Sequence, residues 1–196
     1  MSNKIRVLSG VKITDEPTLK EAISELHRQH RVPHIIITSV SFSNSPSHLS
    51  VYGSSAKSDG SSRLFKLSAP ALPVFFSGTG DMFAALMVAR LKEACGHAGL
   101  LENPSWQSPD EVEATQLPLA SAASKVLASM HAVLEKTMHA REALVQRIEE
   151  SVRGQDEGEK KRYLRLTKAA EVRVVRNVSD LINPPQTEQF VATAVE

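Results

Sequence analysis

Phe76-Ser77-Gly78-Thr79-Gly80-Asp81-Met82-Phe83 crowds two glycines, two hydroxyls and a carboxylate into a turn that opens a helix. Beyond it, Phe83, Leu86, Met87, Arg90 and Leu91 recur at helical spacing, and neither proline nor glycine interrupts Asp81 through Ala94. The spacing predicts a helix from about Gly80. The first N–H groups of a helix lack intrahelical partners and sit at the positive end of its dipole, which favours an anion such as phosphate. Gly78 and Gly80 would let that anion approach the main chain. A carboxylate in the first turn is equally the ordinary N-terminal residue of a helix, so helix cap and phosphate cradle both stand at this point.

Working outward, Thr14-Asp15-Glu16-Pro17 reads as a helix start, with Leu19, Ala22, Ile23 and Leu26 as its buried stripe. After Pro33, His34-Ile35-Ile36-Ile37-Thr38-Ser39 is a β-branched run, the pattern expected of a parallel strand covered on both faces. Leu49 to Gly53 and Arg63 to Leu67 read as partly exposed strands that can pair as a hairpin around a polar turn region, Ser54 to Ser62. A loop is expected over 95–118, long enough to be a lid, an insertion or a disordered segment. An apolar stripe from Leu119 to Glu149 predicts a long helix, 151–162 a mobile charged loop, and Val172 to Val175 a last strand before the breaker Asn183-Pro184-Pro185. Helices alternating with strands give an α/β class.

The 196 residues are 41% hydrophobic and 23% charged, enough for a single core. Lys plus Arg is 23 against 22 for Asp plus Glu, so no overall field recruits nucleic acid or an anionic membrane. A single cysteine, Cys95, excludes an internal disulfide and a multi-cysteine zinc site. No secretory leader and no membrane-length apolar run is read at this level. Neither a Walker-type phosphate loop nor a protein-kinase His-Arg-Asp signature occurs.

Four blocks, in order, carry a resemblance: His34 to Ser39, Phe76 to Ala85, the helix around Val126 to Met138, and Val175-Arg176-Asn177 through Asn183-Pro184. Together they resemble the carboxyl-terminal part of pyridoxal kinase, in the ribokinase-like superfamily. The resemblance implies a three-layer α/β/α domain with a mostly parallel central sheet, incomplete on its amino-terminal side, with residues 1–196 forming one partial domain. It implies ATP-dependent phosphorylation of the 5′-hydroxyl of pyridoxal, pyridoxine and pyridoxamine in vitamin B6 salvage. By that resemblance Asp81 is the base, Gly78, Thr79 and Gly80 form the anion hole, and Thr38, Ser39 and Phe83 contact ATP. It also implies Mg2+ or another divalent cation, with K+ as a further ion, a homodimer in the full-length family, and a cytoplasmic location with nuclear presence left open.

The resemblance has a gap. The family's Asn-x-x-Glu motif, linked to its metal site, precedes a segment like Leu8-Ser9-Gly10, where this chain carries Met1 to Val7 and no glutamate. The chain thus reads as a shortened member with no metal ligand of its own. The second reading is a noncatalytic nucleotide-binding or interaction subunit. Other features take plainer readings: His27 and His30 as a solvated helix face, Cys95 as a bystander thiol, Lys160-Lys161-Arg162 as mixed-charge surface, and Trp106 as a local anchor. Ser39 and Ser77 lack a matched histidine and acid for hydrolase chemistry.

Overall fold

A computed structural model describes residues 2–42, 47–151 and 159–195. The chain begins with α1 (Ser2–Ser9) and α2 (Glu16–His30). Asp15 caps α2 from an extended conformation: its Oδ1 accepts from the Thr18 amide at 3.0 Å while Thr18 Oγ1 accepts from the Asp15 amide at 3.1 Å. This reciprocal capping satisfies orphan donors at both positions. Leu19, Ala22, Ile23 and Leu26 are buried, as the helical stripe requires. Arg31, left-handed at φ 51°, ends the helix ahead of Pro33.

Strands β1 (His34–Val40), β2 (His48–Ala56), β3 (Ser62–Pro70) and β4 (Thr193–Ala194) form one sheet in the order β1-β2-β3-β4, and every pair is antiparallel. The expectation of a mostly parallel sheet is therefore corrected for the described strands. The physical reason lies in the connection: residues 41–47 are too few for the dozen or so that a parallel crossover needs. The β-branched run of β1 reports burial on both faces, and antiparallel neighbours can be covered on both faces too. The one parallel contact among the described residues is an isolated bridge between Ser77 and Glu171.

Helices cover both faces, giving three α/β/α layers. Ile37, Tyr52 and Leu64 face α2 through Leu19 and Ile23. Val51, Phe65 and Leu67 face α3 (Thr79–His97) and α4 (Pro118–Ser151) through Met87, Ala123 and Val126. The alternation of Val51 and Tyr52, and of Leu64 and Phe65, is the strand period of two. The hairpin strands are more buried than their sequence suggests, with Val51 through Ala56 all buried. Gly53 lies opposite Phe65, and a Cβ there would overlap the Phe65 ring. Under the α2 layer, the Glu16 carboxyl is held below its usual range by the Tyr52 hydroxyl and by Lys66, 3.0 Å away.

Small residues on α4, among them Ala120, Ala122 and Ala123, let it sit close to α3. Glu93 links the two helices, accepting from Arg90 at 2.6 Å and Lys125 at 3.0 Å, and these cations hold its carboxyl down at about 2. The same Arg90 donates to the Leu181 and Ile182 carbonyls at the end of α6 (Val178–Ile182).

Two sequence expectations change here. Cys95 lies inside α3, buried, with burial pushing its thiol up, so the loop of 95–118 shortens to the residues between His97 and Pro118 and contains two 3-10 turns. Val172 to Val175 is not a strand: Val174 is α-helical in its backbone, Val175–Asn177 is a 3-10 turn, and Asn177 Nδ2 donates to the Arg173 carbonyl at 2.8 Å. Tertiary context overrides β propensity there. Of the loop expected at 151–162, Ser151 ends α4, residues 152–158 lie outside the described residues, and 159–162 belong to α5 (Glu159–Ala169).

Candidate functional site: a glycine turn facing a bulged strand end

Between Ile37 and Val40 the register of β1 against β2 slips: three steps along β1 match two along β2, from Tyr52 to Ser50. The extra residue is a β-bulge, and Ser39 within it sits at φ 57°, in the left-handed region a serine seldom occupies. In a regular strand Thr38 and Ser39 would point to opposite faces. The bulge brings both to one cavity of about 360 Å3, together with Thr79, Gly80 and Phe83 of α3.

The α3 side of that cavity is built from backbone. Gly78 is the N-cap at φ 85°, a conformation that costs glycine little, and no side chain caps the helix. Its carbonyl accepts from the Met82 amide at 3.1 Å, which sets the first turn. A Cβ added to Gly78 or Gly80 would meet nothing within 4 Å, so the main chain is open on this side. Gly78 and Asp81 flank the lining residues in the same turn without lining the cavity themselves, and Asp81 is exposed. An open, uncapped helix start beside two hydroxyls is a fitting cradle for a phosphate chain.

The rest of the wall is apolar, from Leu49 and Val51 on β2, Val74, Phe75 and Phe76 ahead of α3, and Leu127, Met130 and Leu134 on α4. Such a pocket suits an aromatic ring. Phe75 is 89% exposed at its edge. Sequence reading gave the residues ahead of the turn and the apolar stripe of α4 no site role; the Phe75-Phe76 pair beside a glycine turn was the available signal, with Phe75 exposed and Phe76 buried. A larger cavity of about 520 Å3, between α5 and residues 171–176, holds none of the expected site residues and faces solvent with Arg165, Lys168, Arg173 and Arg176.

Among the described residues, no group of three or more His, Cys, Asp or Glu is placed to hold a metal. No helix among them is long and apolar enough to cross a membrane. The loop after α3 lies at the other end of the strands. Arg63 donates to the Ala56, Ser108, Pro109 and Val112 carbonyls, and the His34 ring bridges Ser55 Oγ at 2.8 Å and the Ser105 carbonyl at 2.9 Å. It lines no part of the candidate cavity.

No protein-family model matches the chain. Two Schizosaccharomyces pombe proteins named as pyridoxal kinases are each 31% identical over 136 residues, which is 68% and 67% of this chain but 38% of each of theirs. The pyridoxal kinase of Leishmania donovani, solved with ADP and pyridoxamine, superposes on the whole chain with a TM-score of 0.64 and 20% identity, over 50% of its own length. This chain therefore spans half or less of the relatives it matches. Over that span it is a homologue of the pyridoxal kinases and has their ribokinase-like fold.

Proposed function

We propose that this chain provides the ATP-binding and catalytic half of a pyridoxal kinase, which phosphorylates the 5′-hydroxyl of pyridoxal, pyridoxine and pyridoxamine. The observation that carries this reading is the convergence of the Thr38–Ser39 bulge and the uncapped Gly78–Gly80 helix start on one apolar cavity. Homology to proteins named for this activity supports it.

In this reading the Gly78, Thr79 and Gly80 amides stabilise the charge on the transferring phosphoryl, and Thr38 and Ser39 position the phosphates. Phosphoryl transfer asks mainly for such positioning and preorganised charge stabilisation. The 5′-oxygen bonds to the γ-phosphorus, the bond from that phosphorus to the ADP oxygen breaks, and Asp81 accepts the hydroxyl proton. A carboxylate within reach of the substrate hydroxyl is a general base suited to that role. Lacking a carboxylate cluster, these residues would receive Mg2+ already bound to the nucleotide phosphates. We place K+, the homodimer and a cytoplasmic location in the same proposal.

The test is formation of pyridoxal 5′-phosphate from ATP, Mg2+ and pyridoxal. Asp81→Asn is expected to lower turnover by about 10²- to 10⁴-fold while ADP still binds. Wild-type turnover in that variant would remove Asp81 from the chemistry. A second reading, a nucleotide-binding or interaction subunit without catalysis, is favoured by one observation: β1 closes the sheet with no neighbour on its outer edge among the described residues. It predicts ADP binding and association with a full-length kinase, measured by light scattering, with no turnover.

A further inference from the structure

The larger cavity, of about 520 Å3, lies between α5 and residues 171–176 and is lined by four cations against one acid, Glu171. The cations come in two pairs. Arg165 and Lys168 stand three apart on α5 and so share a helix face, and Arg173 and Arg176 are three apart in the turn that follows. That turn is anchored at its first arginine: the Arg173 amide donates to Oγ1 of the fully buried Thr137 at 3.3 Å, and the Arg173 carbonyl accepts from Asn177 Nδ2 at 2.8 Å. Among the described residues, the side chains of Lys168, Arg173 and Arg176 enter no ion pair or hydrogen bond. Lys168, in the last turn of α5, complements the helix dipole. Arg173 and Arg176 lie beyond the helix, and the dipole accounts for neither.

Like charges gathered without a counter-ion repel one another, and an entering anion relieves that repulsion. Guanidinium groups present planar forks that match phosphate oxygens, and an ammonium adds a point charge. The wall beside them is aliphatic, from Leu144, Val172, Val174 and Val175, and Val175 is left 87% exposed. Polar anchors next to apolar surface, in a volume of this size, suit a small ligand with a charged head and a compact apolar body. We propose that this cavity is a second ligand site, separate from the glycine turn, for phosphate monoesters of small apolar or aromatic alcohols. It stands on its own residues and does not depend on the nucleotide reading. The isolated bridge pairs Glu171 on its wall with Ser77, the neighbour of Gly78, so the two sites adjoin through the backbone.

The experiment is an amide NMR titration of the 196-residue chain with phenyl phosphate, with inorganic phosphate and phenol as the comparison ligands. Affinity is read residue by residue, which separates this cavity from any binding at the glycine turn. Shifts are expected at Lys168 and from Glu171 to Arg176, with phenyl phosphate about 3- to 10-fold tighter than inorganic phosphate for part of a ring withdrawn from water, and with phenol silent. Arg173→Gln and Arg176→Gln should each weaken binding by about 10-fold or more, the loss of one charge-assisted hydrogen bond. Glu171→Gln should strengthen it by about 2-fold, since it removes the opposing acid. Arg176 and Glu171 are both exposed, so these two variants decide the matter if Arg173→Gln fails to fold, as circular dichroism would show. Inorganic phosphate that binds as tightly as the ester overturns the monoester assignment. Silence at 168–176, shifts confined to the glycine turn, or an affinity that none of the variants moves overturns the site itself.

Discussion

The two ends of β1 are finished differently. At its His34 end most polar groups are paired, with the buried Arg63 Nε as an exception: the Arg63 terminal nitrogens serve four carbonyls, His27 bridges the Val32 carbonyl and Ser54 Oγ, and His34 ties the sheet to Ser105. At its Ser39 end the strand bulges, a serine takes a left-handed backbone, a helix starts without a side-chain cap, and a phenylalanine stands almost wholly exposed. Buried polar groups are ordinarily satisfied within the fold. One end is thus built for stability, whereas the other keeps hydrogen-bonding capacity and strain in reserve for a ligand.

Variants at the two ends should separate these roles. The largest effect is expected from Arg63→Met, which strips four carbonyls of a shared cationic donor and should cost about 3 kcal/mol in urea unfolding. Its folded fraction should still bind ADP with wild-type affinity. A loss of affinity at full folding would couple the two ends and break the contrast.

Next in size is a pH effect at the same closed end. Burial holds the His27 and His34 imidazoles below their ordinary value of 6.5. The unfolded chain therefore takes up protons first as pH falls. The stability they contribute is complete above that ordinary value and is lost as pH drops from it through the folded values. Wild type should lose stability as pH falls below about 6.5, the ordinary His value. A His27→Gln, His34→Gln double variant should start lower and respond less; an equal slope in both would contradict the assignment.

What the sequence made legible, and what it hid, follows the same divide. The start of α2, the pairing of β2 with β3 and the glycine start of α3 were readable because each depends on local chemistry: a proline in the first turn, alternating burial, an uninterrupted helical period. Strand direction in β1 was not, since a β-branched run records how many faces are covered and says nothing of which way the neighbour runs. Val172 to Val175 failed for a related reason: β-branched residues suit a strand, but Asn177 and the 3-10 turn bind that backbone to itself. The bulge at Ser39 comes from tertiary register, which no local pattern carries.

Smaller effects belong to the open end. Ser39→Gly relieves a left-handed serine at the expense of unfolded-state entropy, so stability should move by less than about 1 kcal/mol. ADP affinity should nevertheless fall by about 3- to 10-fold through the lost hydroxyl. Phe75→Ala should leave stability within about 0.5 kcal/mol, as an exposed substitution does, while weakening ADP binding. A destabilised Phe75→Ala would mean the ring packs into the fold and does not wait for a ligand.

The most direct test is an amide NMR titration of the 196-residue chain with ADP. Shifts concentrated at Thr38, Ser39, Phe75, Gly78 through Asp81 and Phe83, with His34, Arg63 and Ser105 unmoved, are the predicted result. Shifts centred on the Arg63 end, or on the basic cavity between α5 and residues 171–176, with the glycine turn silent, would contradict the assignment of the open end of β1 as the nucleotide site.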